Sequence, residues 1–158
     1  MFLDADSFRT VVASTPLISI DLLVSNSEGN ILLGQRLHRP AQGTWFVPGG
    51  RIYKGESLDQ AFKRITEAEL GHLFLRQNST MLGVYEHFYQ DSVFGQGGDA
   101  PSTHYIVITH QITLSAEDTL SPPHDQHRLY RWWQRKDMAI SDQVHPNSKA
   151  YLDACTST

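Results

Sequence analysis

The chemistry-bearing residues of this 158-residue chain that do not read as core packing begin in the run GGRIYKGESLDQAFKRITEAELG, residues 49–71. A glycine pair opens the run, and a helix signature carries a carboxylate on an unexpected face. Ser57 followed by Gln60 is a capping-box pattern, good helix formers continue to Leu70, and Gly71 is a natural stop. At about 100° per residue, Leu58, Phe62, Ile65 and Glu69 fall on a stripe about 60° wide that should face the core. An ionised carboxylate on that stripe is costly unless a cation or donors meet it. Glu69 therefore asks for a metal ion, unless it curls to solvent or pairs with an arginine at the helix end.

Other polar groups sit where they need partners. Asp21 lies inside the apolar run PLISIDLLVSN, where a carboxylate demands a donor, which favours a role in binding a polar ligand. Arg36 ends one predicted strand and Arg51 directly follows the glycine pair, so both can converge on one anionic group. A single arginine is more often a surface ion pair; two flanking a glycine turn weaken that reading. Asp125, Gln126 and His127 bring an acceptor, an amide and an imidazole together just before a predicted strand. The chain has eight histidines, so most must be bystanders. His87 and Tyr105 stand at the inner edges of a glycine-rich loop, residues 90–102, which reads equally well as a lid over a site or as plain surface.

The elements that must hold these groups follow from pattern. Residues 4–13 read as a short amphipathic helix with Asp4 or Asp6 as cap and Phe8, Val11 and Val12 on one side. Met1, Phe2 and Leu3 form an apolar tip before it, packed on the chain's own core or on a partner. Residues 17–37 read as a hairpin, WFVPGG as a short strand entering the glycine turn, and TMLGVYEHFYQ and THYIVITHQITL as two long strands. LYRWW is a last short strand, and HPNSKAYLDACT a closing helix with Pro146 near its start. Strands, a central helix, strands and a terminal helix make an α+β domain with helices over a mixed sheet.

Length fits one domain over residues 1–158. A net charge of −4 argues against a protein that coats nucleic acid. One cysteine cannot form an internal disulfide, the chain opens with no secretory pattern, and the apolar runs are too short to span a membrane, so a cytoplasmic home is expected.

Gly50, Glu56, Arg64, Glu69 and Gly71 stand at the spacings of the Nudix box, five fixed positions over 22 residues. The chain thus resembles the Nudix hydrolases, with Ile65 and Ala68 where the general box has glutamates and Thr66 and His72 at aliphatic places. RxTxAELG, with the flanking run RPAQGTWFVPGGR, is similar to the GDP-mannose mannosyl hydrolase branch. That resemblance covers essentially the whole chain and implies an α/β/α sandwich with the box at residues 50–71. It implies cleavage of GDP-mannose, and GDP-glucose, to GDP and free sugar by attack of water at the anomeric carbon with inversion. One Mg²⁺, replaceable by Mn²⁺, is implied on the Gly49 carbonyl, Glu69 and Gln126, with His127 as general base and Arg36 and Arg51 on the departing diphosphate. Asp21, His87 and Tyr105 are implied on the sugar or diphosphate, and Phe2, Leu3 and Phe8 near the guanine at a homodimer interface. Two rivals stand beside this reading: a pyrophosphatase attacking phosphorus, against which the two absent glutamates speak, and a domain that senses nucleotides without catalysis.

Overall fold

The computed structural model describes residues 2–123 and 127–155. Helix α1 (Ala5–Ser14) is capped by Asp4, whose carboxylate accepts from the Ser7 amide at 2.9 Å. Strand β1 (Leu17–Ser25) leads to β2 (Ile31–Arg36), β3 (Trp45–Phe46) and β4 (Gly49–Arg51), and helix α2 (Leu58–Leu70) follows. Then come β5 (Thr80–Tyr89), the two-residue strands β6 (Asp91–Ser92) and β7 (Gly95–Gln96), β8 (Thr103–Thr113) and β9 (His127–Trp133). Helices α3 (Arg135–Ile140) and α4 (Pro146–Lys149) and a 3₁₀ turn (Ala150–Asp153) complete the described chain.

Seven strands form one mixed sheet in the order β3-β2-β1-β8-β5, with β4 added to β1 and β9 to β2. β1 and β8 run parallel over their full length, from Leu17 opposite Tyr105 to Ser25 opposite Thr113. The expected hairpin of β1 and β2 is paired only near its turn, at Ser25 and Ile31. Further along, β4 takes the edge of β1 instead, setting Gly49 opposite Asp21 and Arg51 opposite Ser19. β6 and β7 pair with each other, so the glycine-rich segment is a miniature hairpin apart from the main sheet.

Helices lie on both faces of the sheet. α2 packs Phe62, Ile65 and Leu70 against Ile20, Leu22, Val24 and Ile112 on one face. On the other, Leu23, Ile31, Leu33 and Trp45 meet Met138 of α3, Val144 of the segment between α3 and α4, and Tyr151 of the 3₁₀ turn. Each large side chain so buried contributes roughly 1.5–3 kcal/mol. The sequence stripe placed Leu58 inward; it is 40% exposed, because the first turn of α2 overhangs the sheet, and the buried face runs instead through Ala61, Phe62, Ile65, Thr66 and Leu70. α3 was not anticipated: it is six residues long and its N-cap makes no side-chain hydrogen bond, leaving no periodic or capping signal to read. No helix among the described residues is long and apolar enough to cross a membrane.

Candidate functional site

The glycine turn and the start of α2 are fixed by a few polar contacts. Ser57 and Gln60 close the capping box, each side chain bonded to the other's amide at 2.8 and 3.1 Å. The Arg64 guanidinium grips both oxygens of Glu56 at 2.8 Å and donates to the Arg51 carbonyl at 2.7 Å, while Glu56 also accepts from the Tyr53 amide. This bidentate pair ties the turn to the helix, and the guanidinium holds the Glu56 carboxyl below its ordinary range. Glycine is required twice. A Cβ on Gly49 would lie 2.5 Å from Asp21 Oδ1, and one on Gly50 would lie 3.2 Å from Ile65 Cγ1.

Between α2, β4, β1 and the far ends of β5 and β8 lies a cavity of about 740 Å³, a size suited to a small ligand. Asp21, Arg36, Gly49 and Arg51 line it, as do Glu69, His87, Tyr105 and Phe2. These eight positions, singled out from the sequence over a span of more than a hundred residues, share one chamber. Their chemistry is mixed. Arg51, Lys54 and Arg64 make part of its lining cationic, with aromatic faces among them: the Arg64 guanidinium lies 3.9 Å from the Tyr53 ring centre, and Arg51 lies 4.2 Å from that of Phe8. Asp21, His87, Tyr89 and Tyr105 also line the chamber, with Arg36 close enough to Asp21, Tyr89 and Tyr105 to pull their titration down.

Asp21 is 7% exposed, and burial pushes its carboxyl up to about 7 despite the Tyr151 hydroxyl and Arg36, which pull it down. Tyr151 donates to Asp21 Oδ2 at 2.5 Å and lies 3.2 Å from His87 Nε2. Burial, with His145 nearby, holds His87 down to about 4, so its ring is neutral at physiological pH. Burial likewise raises the phenols of Tyr105 and Tyr89, and the Tyr89 hydroxyl accepts from Asn147 Nδ2 at 3.1 Å.

Not every predicted residue joins the cavity. His127 is 1% exposed, its ring stacked on Tyr130 at 5.2 Å and lying over Gly34, where a Cβ would come within 1.6 Å of His127 Nδ1. It stands opposite Arg36 across the β2–β9 ladder but is not among the residues lining the chamber. Gln126 lies outside the described residues. Phe8 is half-buried against Phe94 and under Arg51, and Leu3 is exposed; neither lines the chamber, whereas Phe2, 89% exposed, reaches its mouth edge-on to Tyr53.

The donor set bears on a metal. Of the carboxylates lining the cavity, Glu56 is held by Arg64 and Asp21 by Tyr151, while Glu69 shares a wall with Gly49, Ile65 and Ala68. Among the described residues, no group of three or more His, Cys, Asp and Glu side chains is placed to hold an ion. On that wall Glu69 and the Gly49 carbonyl are oxygen donors of the kind a hard cation takes.

Sequence reasoning missed three members of the site. Tyr53 lay inside the scrutinised run, and its place between two arginines was a readable signal. Tyr89 alternates with His87 on β5, a signal available once that strand is drawn. Tyr151 is 130 residues from Asp21, and no local pattern joins them.

The sequence profile of the NUDIX domain matches residues 15–155. The low-salt glycan biosynthesis protein Agl8 of Haloferax volcanii is 35% identical over 150 residues, covering 94% of this chain and 88% of that protein. Among solved structures, the fold is similar to the MutT NUDIX hydrolase of Burkholderia pseudomallei, with a TM-score of 0.70, 22% identity and coverage of 90% of this chain and 100% of that one. It is also similar to the MutT protein of Methanosarcina mazei Go1, with a TM-score of 0.67, 19% identity and coverage of 89% and 93%.

Proposed function

The chain belongs to the Nudix family of hydrolases, and on that premise we propose that it cleaves a nucleotide sugar, GDP-mannose and also GDP-glucose, to GDP and free sugar. The observation that carries this reading is that one chamber is lined both by arginines with aromatic faces beside them and by the buried Asp21 and His87 together with Tyr105. A diphosphate is acceptor-only and suits the first; a pyranose, rich in hydroxyl donors, suits the second. The 35% identity to a protein named for glycan biosynthesis supports the same substrate class.

In this reading Arg36 and Arg51 hold the diphosphate and stabilise it as it departs, and Phe2 and Tyr53 lie against the base. Asp21, His87 and Tyr105 hold the sugar. Glu69, the Gly49 carbonyl and Gln126 would hold one Mg²⁺, with Mn²⁺ as a substitute. When bound, the ion supplies positive charge to the leaving diphosphate. Ile65 and Ala68 make hydrocarbon of two places that carry carboxylates in the general box, which favours attack at carbon over attack at phosphorus. Water attacks the anomeric carbon from the side opposite the diphosphate, inverting it, and His127 takes the proton. For this the His127 ring must leave its seat over Gly34 and turn to the chamber; catalytic contacts often close only with substrate bound. The protein acts as a cytoplasmic homodimer.

Hydrolysis in oxygen-18 water tests the reaction. The label is expected in free mannose of inverted configuration. Label in GMP or in mannose phosphate means attack on phosphorus and overturns the reading, and binding of GDP-mannose without turnover in Mg²⁺ identifies a sensing domain instead.

A further inference from the structure

Tyr151 belongs to the closing 3₁₀ turn, on the far side of the sheet from α2, yet its hydroxyl reaches between two groups of the chamber. The side chain is fully buried, its ring packed edge-on against Tyr85 at 4.8 Å. The hydroxyl has one proton; Asp21 Oδ2 at 2.5 Å and His87 Nε2 at 3.2 Å are candidates for it, and the Thr109 hydroxyl, bonded to the phenol in the sense that favours its ionised form, is a further neighbour. The shorter contact goes to the carboxylate, the stronger acceptor, so the proton lies toward Asp21. The phenol oxygen is then left as an acceptor for His87, which must carry its proton on Nε2. That choice leaves the lone pair on Nδ1.

We propose that Tyr151 is a positioning residue of the sugar-binding wall, which by donating to Asp21 and accepting from His87 sets both as fixed acceptors facing the ligand. A Cβ at position 49 would press on Asp21 Oδ1, so glycine there leaves the carboxylate its place. Two acceptors fixed on one wall match two hydroxyl donors of a pyranose and repel an acceptor-only diphosphate. Tyr151 thus orients a bound nucleotide sugar, phosphate toward Arg51 and hydroxyls toward Asp21 and His87. The selectivity depends on a side chain that needs no contact with the ligand. This inference rests on the nucleotide-sugar reading above and adds to it the device that sorts the two ends of the substrate.

Two measurements test it. In proton NMR of the ligand-free wild type at about pH 8, where Asp21 is ionised, a protected His87 Nε2–H resonance coupled to nitrogen-15 is expected, and in Tyr151→Phe that proton should exchange freely with water. By calorimetry without divalent ions, so that GDP-mannose is not hydrolysed, Tyr151→Phe should bind GDP-mannose roughly tenfold more weakly while its affinity for GDP stays at the wild-type value, since the phenylalanine ring preserves packing and loses only the hydroxyl. A His87 proton on Nδ1 in the wild type overturns the proposal without any variant. Equal losses for GDP and GDP-mannose, or none for either, overturn it as well. Failure of the wild type to bind GDP-mannose at all overturns the substrate reading itself, a result distinct from a change confined to the variant.

Discussion

Asp21 and His87 illustrate how burial gives neighbouring residues opposite linkage to pH. The Asp21 carboxyl is raised from 3.8 to about 7, so the folded chain holds this proton more tightly than the unfolded one. Its stabilising contribution is complete below about pH 4 and is lost as pH rises through 7. His87 is lowered from 6.5 to about 4; its contribution is complete above pH 6.5 and is lost as pH falls through 4. Removing either group exposes the difference. The stability of Asp21→Asn relative to wild type should rise between pH 4 and 7 by on the order of 4 kcal/mol, and that of His87→Asn should rise as pH falls from 6.5 to 4, both read from urea unfolding at a series of pH values. Parallel pH profiles for variant and wild type would contradict the assigned environments. At His127 the expectation is kinetic: His127→Gln should lower kcat by about 10²- to 10⁴-fold with KM little changed. Wild-type turnover in that variant would remove the imidazole from the reaction and leave it as the stack on Tyr130.

At the scale of elements, α2 couples the site to a distant loop through its C-terminus. Gly71 ends the helix at φ 68°, and a Cβ there would lie 2.1 Å from the carbonyl oxygen of Ser121, whose amide donates to the Leu70 carbonyl at 3.0 Å. The loop so docked leads to Gln126 and His127. Gly71→Ala should therefore cost at least about 2 kcal/mol of stability, from strained backbone and steric overlap, and also lower Mg²⁺-dependent turnover. Ser57→Ala, at the other end of the same helix, should cost only about 1 kcal/mol through loss of the cap and leave turnover near the wild-type rate. Thermal unfolding and steady-state rates on the two variants separate the effects. Equal loss of activity in both would mean that the helix, and not its contact with Ser121, governs the site.

At the scale of the whole molecule, the site is assembled from both layers around the sheet. α2 and β4 supply Glu69, Arg64, Gly49 and Arg51, and the C-terminal segment supplies Tyr151, with Asn147 bonded to Tyr89. Chelation of divalent ions should abolish hydrolysis while the fold persists, since the core is built without them; unfolding on chelation would instead make the ion structural. Sedimentation of the wild type should give twice the chain mass if the homodimer is correct, and the chain mass if it is not.

The sequence by itself determined the parts with short-range logic. The capping box and the Gly71 stop follow from local backbone chemistry, and the box, with Ile65 and Ala68 at two of its glutamate places, was legible by resemblance; the stripe that set Glu69 inward gave only a half-buried side chain at the chamber wall. The long strands were legible from their apolar runs, and Asp21 was marked by its misfit in one of them. Only the tertiary structure decided that β4 takes the edge of β1, bringing Gly49 onto Asp21, because pairing between distant segments leaves no local trace. It alone decided that His127 is buried over Gly34 and that Tyr151 reaches Asp21 across 130 residues. Periodicity tells which face of an element is buried; which polar group meets another there depends on how the layers close.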